Sequence, residues 1–476
     1  MAIPAPAAPA QNGLGCSDVT LAALRRGYAS GALTPTQVVE QVLARIEDRD
    51  DQAWISLRPA DELLMTARRL EAEAQAAGGL DRLPLYGIPI GVKDSIDVAG
   101  LPTTLACPDF AYRPDRTATA VERLTDAGAI VIGKTNLDQF ATGLVGARSP
   151  YGACESVFGQ GMISGGSSSG SAVAVASGVV PIAVATDTAG SGRVPAALNG
   201  IVGFKPTLGL ISTAGLVPAC RSIDCVTVMS RNIADALSVL RVAGGADPDH
   251  PWSRPDAALT VQLAQEPLLG RVRLGLPDPS ALEFFGDESM RRSHLQARTA
   301  AVDTLDATVI DVDLDPFFEA GSLLYDGPWV AERYADLGDF IRTHPDSVLP
   351  VIRTIIEGSG ATYSAAELFR AQHRLKALRH VTGRVWQDVD ALVLPTVGTT
   401  FTIEEVLAEP IARNTMLGRY TQFANLLNLA ALSIPAGTTA DGRPVALMLI
   451  GPAKSDLRLA RIAARILGEQ LPEEWT

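Results

Sequence analysis

Between Ser164 and Ser191 the chain carries one charged residue, Asp187, in a stretch made almost wholly of glycine, serine, alanine, threonine and valine. It opens with Ser164-Gly-Gly-Ser-Ser-Ser-Gly-Ser, continues through Ala172-Val-Ala-Val-Ala and closes with Ala185-Thr-Asp-Thr-Ala-Gly-Ser. Two turns of small residues thus flank one apolar segment. Several hydroxyls and many bare backbone N–H groups are brought to one place, which suits a nucleophilic hydroxyl and the oxyanion it creates. Gly/Ser tracts also serve as flexible linkers, but this one runs straight into an apolar segment. That segment, residues 172–185, is shorter than the ~20 residues a bilayer crossing takes. It reads as a helix buried on all sides within a large domain.

The remaining composition narrows the setting. With 476 residues, 47% of them apolar, the chain can bury a large core. A formal charge of −13 argues against sequence-independent nucleic-acid binding, which relies on Lys and Arg neutralising phosphates. The five cysteines (Cys16, Cys107, Cys154, Cys220 and Cys225) are odd in number and irregularly spaced. They read as free thiols in a reducing compartment, the cytoplasm, with no metal-ligand spacing. Cys154 is a nucleophile in principle and a small buried residue by default. Residues 1–16, rich in Pro and Ala with no basic start, read as a loose tail rather than a signal peptide.

Residues 17–80 read as helical, with Ser17 and Thr34 or Thr36 as capping candidates and Pro35 in a first turn. Beyond Pro84, short apolar runs alternate with helical patterns. Strands are expected at Ile88–Lys93, Ala129–Lys134, Val179–Thr186, Val272–Leu276, Ala307–Asp313, Asp390–Thr396 and Val445–Gly451. The alternation predicts an α/β fold: one domain over 17–476, with a large mixed, mostly parallel central sheet covered by helices on both faces. Residues 317–385 are expected to form a helical region over one side.

A nucleophilic serine needs a base. All five histidines fall late, at His250, His294, His344, His373 and His380, and none sits in a Gly-x-Ser-x-Gly setting. A Ser-His-Asp triad is therefore disfavoured. Lys93 follows the apolar run Gly87-Ile-Pro-Ile-Gly-Val, and burial there lowers a lysine pKa by disfavouring the ammonium form. A structural partnership of Lys93 with Asp94 or a carbonyl is the alternative. The glycine loop lacks the Gly-Lys-Ser/Thr ending of a phosphate-binding loop.

Gly91-Val-Lys-Asp, Gly133-Lys-Thr-Asn, Gly165-Gly-Ser-Ser-Ser-Gly-Ser, Thr186-Asp-Thr-Ala-Gly-Ser-Gly-Arg-Val-Pro-Ala and Gly203-Phe-Lys-Pro-Thr together resemble the amidase signature family. The resemblance implies Ser191 as nucleophile, Ser167 as a bridging serine in a cis peptide after Gly166, and Lys93 as base. It implies an oxyanion hole from the backbone N–H groups of Thr188, Ala189, Gly190 and Ser191. That family commonly has glycine where Ala189 stands, so Ala189 must occupy a conformation open to alanine. Asp187 and Arg193 are expected to form a buried ion pair that fixes the turn. No metal or cofactor is implied.

Four stretches, around residues 134–152, 186–196, 221–225 and 325–333, look like the allophanate hydrolase branch of that family. Its substrate is a small anionic amide. The resemblance assigns substrate binding to Tyr325 and Arg333, which lie eight residues apart and so on one face if a single helix carries both. Gly143 would present its backbone to the ureido group, with Arg148 a weaker candidate cation. The resemblance further implies a homodimer. Many such enzymes carry an extra C-terminal domain for a later decarboxylation, so deamination alone is expected of this chain, which ends at Thr476. The alternatives are a broad small-amide amidase, an inactive binding scaffold and a glutaminase-type amidotransferase component.

Overall fold

Eleven strands form one sheet among the described residues of the computed structural model, which are 19–80, 82–257, 270–325 and 327–472. In chain order they are β1 (Trp54–Leu57), β2 (Pro89–Lys93), β3 (Ile130–Thr135), β4 (Ile182–Asp187), β5 (Val202–Lys205), β6 (Cys225–Ser230), β7 (Arg273–Leu276), β8 (Thr308–Asp311), β9 (Ala391–Pro395), β10 (Ala430–Thr438) and β11 (Pro444–Gly451). Across the sheet the order is β1-β3-β2-β4-β6-β5-β10-β11-β9-β7-β8. The expected tail, residues 1–16, lies outside the described residues, as does Ser17.

The α/β class and the large mixed sheet agree with the sequence reading. The parallel pairing expected to dominate is confined to two wings, β3-β2-β4 and β9-β7-β8. The other neighbours, including the whole centre, are antiparallel. Connection length explains part of the difference. Helices Thr119–Asp126 and Ser169–Ala176 return the chain between β2, β3 and β4, and Glu288–Leu305 does so between β7 and β8. The short turn between β10 and β11, closed by Thr439 N–H donating to Arg443 C=O (2.8 Å), permits only an antiparallel pair.

β2, β3, β4, β9 and β11 are buried at every position. Successive strand side chains point to opposite faces, so both faces are covered. Ile90, Val92, Ile182 and Val184 are each at most 1% exposed, and burying one such side chain contributes about 1.5–3 kcal/mol.

Two local expectations are corrected. The apolar stretch 172–185 is not one helix. Helix Ser169–Ala176 stops at Gly178, which takes a positive φ of 72°, and β4 begins just after Pro181. From residue 19 to 80 the chain forms three helices, Leu21–Ala29, Pro35–Glu47 and Ala60–Ala77, joined by turns and interrupted by β1, which pairs with β3. Thr34, not Thr36, caps the helix Pro35–Glu47, in a box with Gln37: Gln37 N–H donates to Thr34 Oγ1 (3.2 Å) and Thr34 N–H to Gln37 Oε1 (3.0 Å). The first helix, Leu21–Ala29, is capped by Thr20. The helical region over 317–385 is observed, as helices Asp315–Tyr325, Val330–Thr343 and Ala365–Gly383, with the short helical segments Pro350–Arg353 and Thr354–Ser359 between the last two.

This topology positions the site. β2 and β4 are parallel neighbours, so their carboxyl ends, Lys93 and Thr186-Asp187, finish side by side. Helix Ser169–Ala176 packs on β2, β3 and β4 and brings the Gly/Ser loop to the same end. Sites in open α/β sheets gather at the carboxyl ends of strands for this reason.

Candidate active site

Lys93 ends β2 with no exposed surface. Its Nζ donates to Ser167 Oγ (2.7 Å) and to Thr186 Oγ1 (2.8 Å). Burial pulls its pKa down from 10.5 to about 7, against the opposing pull of the Asp138, Asp187 and Asp224 charges. A group balanced near neutrality can accept a proton at working pH. Asp94 is not its partner: that carboxylate pairs with Lys134 at 3.1 Å and accepts from Thr104 N–H (2.9 Å). Sequence alone does not mark Thr186 for this contact, because a threonine at a strand end has no signal of its own.

Ser167 follows a cis peptide bond after Gly166. Its carbonyl accepts from Asp138 N–H (3.0 Å), and Ser168 Oγ donates to Thr186 C=O (3.2 Å), docking the loop onto the end of β4. Ser168 N–H also reaches Ser191 C=O (3.4 Å), so the two serine segments touch.

The turn Asp187–Arg193 is held from within. The Asp187 carboxylate accepts from Gly190 N–H (2.9 Å), Gly192 N–H (3.1 Å) and the Arg193 guanidinium (2.8 and 2.9 Å), all buried. Burial alone would raise this carboxyl, but Arg193 and the N–H donors outweigh it and hold it below the ordinary range. Arg193 Nη2 also donates to Thr421 C=O (3.0 Å), Thr421 Oγ1 to Ala189 C=O (2.7 Å), and Asn425 Nδ2 to Asp187 C=O (2.7 Å). Gly190 has φ of 128°, and a Cβ there would lie 2.3 Å from Thr421 Oγ1, so only glycine fits. Ala189 is not among the positive-φ residues, so alanine is accommodated. Of the four N–H groups expected to face an oxyanion, that of Gly190 is committed to Asp187. Those of Thr188, Ala189 and Ser191 have no protein acceptor among the described residues. Ser191 itself is 4% exposed.

Arg333 is 1% exposed, and its Nη1 donates to Thr142 Oγ1 and to Ala141 C=O (3.3 Å). Among the described residues no carboxylate lies within ion-pair distance of it. Glu332 and Asp336, the acidic residues nearest to it in sequence, are bonded to Ser222 and Arg221 instead. Tyr325 and Arg333 do not share a helix, since one helix ends at Tyr325 and the next begins at Val330. The bend still brings them together, with the guanidinium carbon 5.9 Å from the Tyr325 ring centre. Gly143 sits in the same neighbourhood, where a Cβ would meet the Asp138 carboxylate at 2.6 Å and Arg148 Nη1 at 3.0 Å. Arg148 donates to the carbonyls of Thr142 (2.9 Å) and Pro410, so it ties down this loop.

Other nucleophile and base candidates fall away. Burial pushes the Cys154 thiol up to about 12 and leaves it donating to Gln52 C=O (3.3 Å). His294 is buried and pushed down to about 3, His250 bonds Thr213, and His344 stacks on Phe340. Among the described residues no group of His, Cys, Asp and Glu could hold a metal ion, and no helix is long and apolar enough to cross a membrane.

The family model described as Amidase matches residues 37–460. The chain is 43% identical to the urea amidolyase of Saccharomyces cerevisiae over 89% of its own length and 22% of that protein. It is 34% identical to a glutamyl-tRNA(Gln) amidotransferase subunit of Symbiobacterium thermophilum, over 94% of its length and 95% of that protein. The solved structure of Kluyveromyces lactis allophanate hydrolase superposes with a TM-score of 0.85 at 39% identity, covering 94% of this chain and 72% of that one. The chain therefore spans less than a quarter of the urea amidolyase it matches.

Proposed function

The chain belongs to the amidase family, and from that premise we propose that it hydrolyses the terminal amide of allophanate, urea carrying a carboxylate, with release of ammonia. The observation that carries the substrate class is Arg333. A fully buried guanidinium with no carboxylate within ion-pair distance is costly, and an anionic ligand supplies the missing partner. Tyr325 flanks that cation, and the Gly143 backbone faces the ureido group. The likeness to allophanate hydrolase and urea amidolyase supports the same choice.

In this reading Ser191 Oγ attacks the amide carbonyl while its proton passes to Ser167 and from Ser167 to neutral Lys93. The negative oxygen of the tetrahedral intermediate is met by the N–H groups of Thr188, Ala189 and Ser191. The proton returns by the same path to the leaving nitrogen, the C–N bond breaks and ammonia departs. Water, activated by the same relay, then cleaves the ester on Ser191 and frees N-carboxycarbamate. Asp187 and Arg193 touch no reacting atom and hold the turn. The protein acts as a cytoplasmic homodimer in urea or s-triazine nitrogen breakdown.

The end-to-end match with an amidotransferase component favours a second reading, in which glutamine is the ammonia donor. Ammonia release by the isolated chain from allophanate and from glutamine separates the two. Rapid turnover of allophanate with little of glutamine is expected. The reverse would overturn the proposal.

A further inference from the structure

The segment Ala219–Asp224 has no part in these steps, yet it touches both halves of the site. At its inner end the buried Asp224 carboxylate accepts from Thr188 Oγ1 (2.5 Å), Ala219 N–H (2.8 Å) and Cys220 N–H (3.1 Å). Thr188 opens the turn that carries the three free N–H groups. The carbonyl of Ile223 accepts from Asn425 Nδ2 (2.9 Å), the same nitrogen that donates to Asp187 C=O. At its outer end the segment grips the helix that bears Arg333. Ser222 N–H and Oγ donate to the Glu332 carboxylate (2.9 and 2.7 Å), and Arg221 pairs with Asp336 at 2.8 Å. Cys220 Sγ contacts Trp329 C=O, just ahead of that helix (3.7 Å).

We propose that Ala219–Asp224 is a brace that registers Arg333 against the oxyanion turn, with Asp224 and Glu332 as positioning residues at its two ends. The proposal rests on the roles given above to Arg333 and Thr188. Its physical ground is the size of the substrate. In allophanate a single nitrogen separates the carboxylate from the ureido carbonyl, so the ligand has almost no flexibility with which to absorb an error. The cation and the N–H groups must then be held within about half an ångström of their working separation. The two lie on different elements, helix Val330–Thr343 and the turn after β4, and this segment bonds to both.

A double-mutant cycle on the whole chain tests the brace. Glu332→Ala removes the two Ser222 bonds at the outer end and Thr188→Val the Asp224 bond at the inner, with kcat and KM read on allophanate and on biuret, an amide of similar size without the charge. Glu332→Ala should raise KM for allophanate about threefold or more and leave KM for biuret unchanged, while Thr188→Val lowers kcat on both about tenfold. In the double variant the loss in kcat/KM on allophanate should fall short of the product of the single losses by about threefold. Thr188→Ser, which keeps the hydroxyl, should restore kcat. A double loss equal to that product, or the same KM change on both amides, overturns the brace. So does a Thr188→Ser variant that melts like the parent but stays impaired. If the parent turns over a different amide and not allophanate, the substrate reading fails by itself. The cycle is then run on that amide, where coupling upholds the brace and additivity overturns it.

Discussion

Replacing Lys93 with methionine should make the protein's stability less dependent on pH, in a direction that follows from burial. In the folded chain this amine has a pKa of about 7, against 10.5 for an ordinary lysine. The native state therefore binds the proton more weakly than the unfolded chain. The cost of that mismatch is fully present below pH 7, shrinks as pH rises and is gone above 10.5. At about 1.4 kcal/mol per pH unit, the whole difference amounts to about 5 kcal/mol. Methionine has a similar length and no charge, so it removes the cost at every pH. It also removes the hydrogen bonds to Ser167 and Thr186, each worth about 1 kcal/mol, a loss that shifts the curve without changing its slope. Urea unfolding of parent and Lys93→Met at intervals from pH 6 to 9 reads the difference directly. The parent should gain on the variant by about 1.4 kcal/mol per unit above pH 7, and the gap should be flat below about pH 6. A gap that stays constant from pH 6 to 9 would mean that Lys93 titrates as an exposed lysine does, and the argument for a neutral base would fail.

Three further outcomes are expected. Gly190→Ala forces a Cβ against Thr421 Oγ1 at a backbone angle alanine avoids, so it should cost about 2 kcal/mol or more in denaturant unfolding and abolish most ammonia release. Asp187→Ala leaves the Arg193 guanidinium buried without its carboxylate, so a loss of about 3–5 kcal/mol is expected in the same assay, whereas a surface-like loss below 1 kcal/mol would show the pair to be solvated. Arg333→Ala should raise KM for allophanate at least about a hundredfold and leave a neutral amide nearly unaffected, since a buried charge pair is worth about 3 kcal/mol or more. Equal effects on both substrates would remove Arg333 from the carboxylate site.

Local signals in the chain reveal some of this architecture, and long-range contacts hide the rest. The expected strands at 88–93, 129–134 and 445–451 all appear, because each is a short apolar run bounded by turn residues. β5, β6 and β10 escape notice. β5 is four residues long with a glycine inside, β6 mixes Cys, Thr and Ser with its apolar residues, and β10 contains Pro435. Their strand character comes from pairing with one another in the buried centre, which local pattern does not encode. At the site, Lys93, Ser167 and Ser191 stand within dense motifs; Lys93 bonds Ser167 at the end of β2, and the Ser191 carbonyl lies against Ser168 N–H. Thr421 and Asn425 carry no motif, and sequence separations of 232 and 238 residues part them from Ala189 and Asp187, which they bond; Asp224 lies within the stretch 221–225, but nothing local in that stretch shows that it bonds Thr188, 36 residues away. Tyr325 and Arg333 show the converse. Their spacing suggested one helix face, and they meet instead across a break between two helices.

The proposed chemistry depends on an uncharged amine at position 93. Its most direct test is a titration of the Nζ resonance in protein labelled with ¹⁵N-lysine, assigned by its absence from Lys93→Met. A midpoint near pH 7, matched by an acid limb in kcat/KM at the same pH, is the predicted result. A resonance that stays in the ammonium form to pH 10 while the enzyme remains active would contradict it.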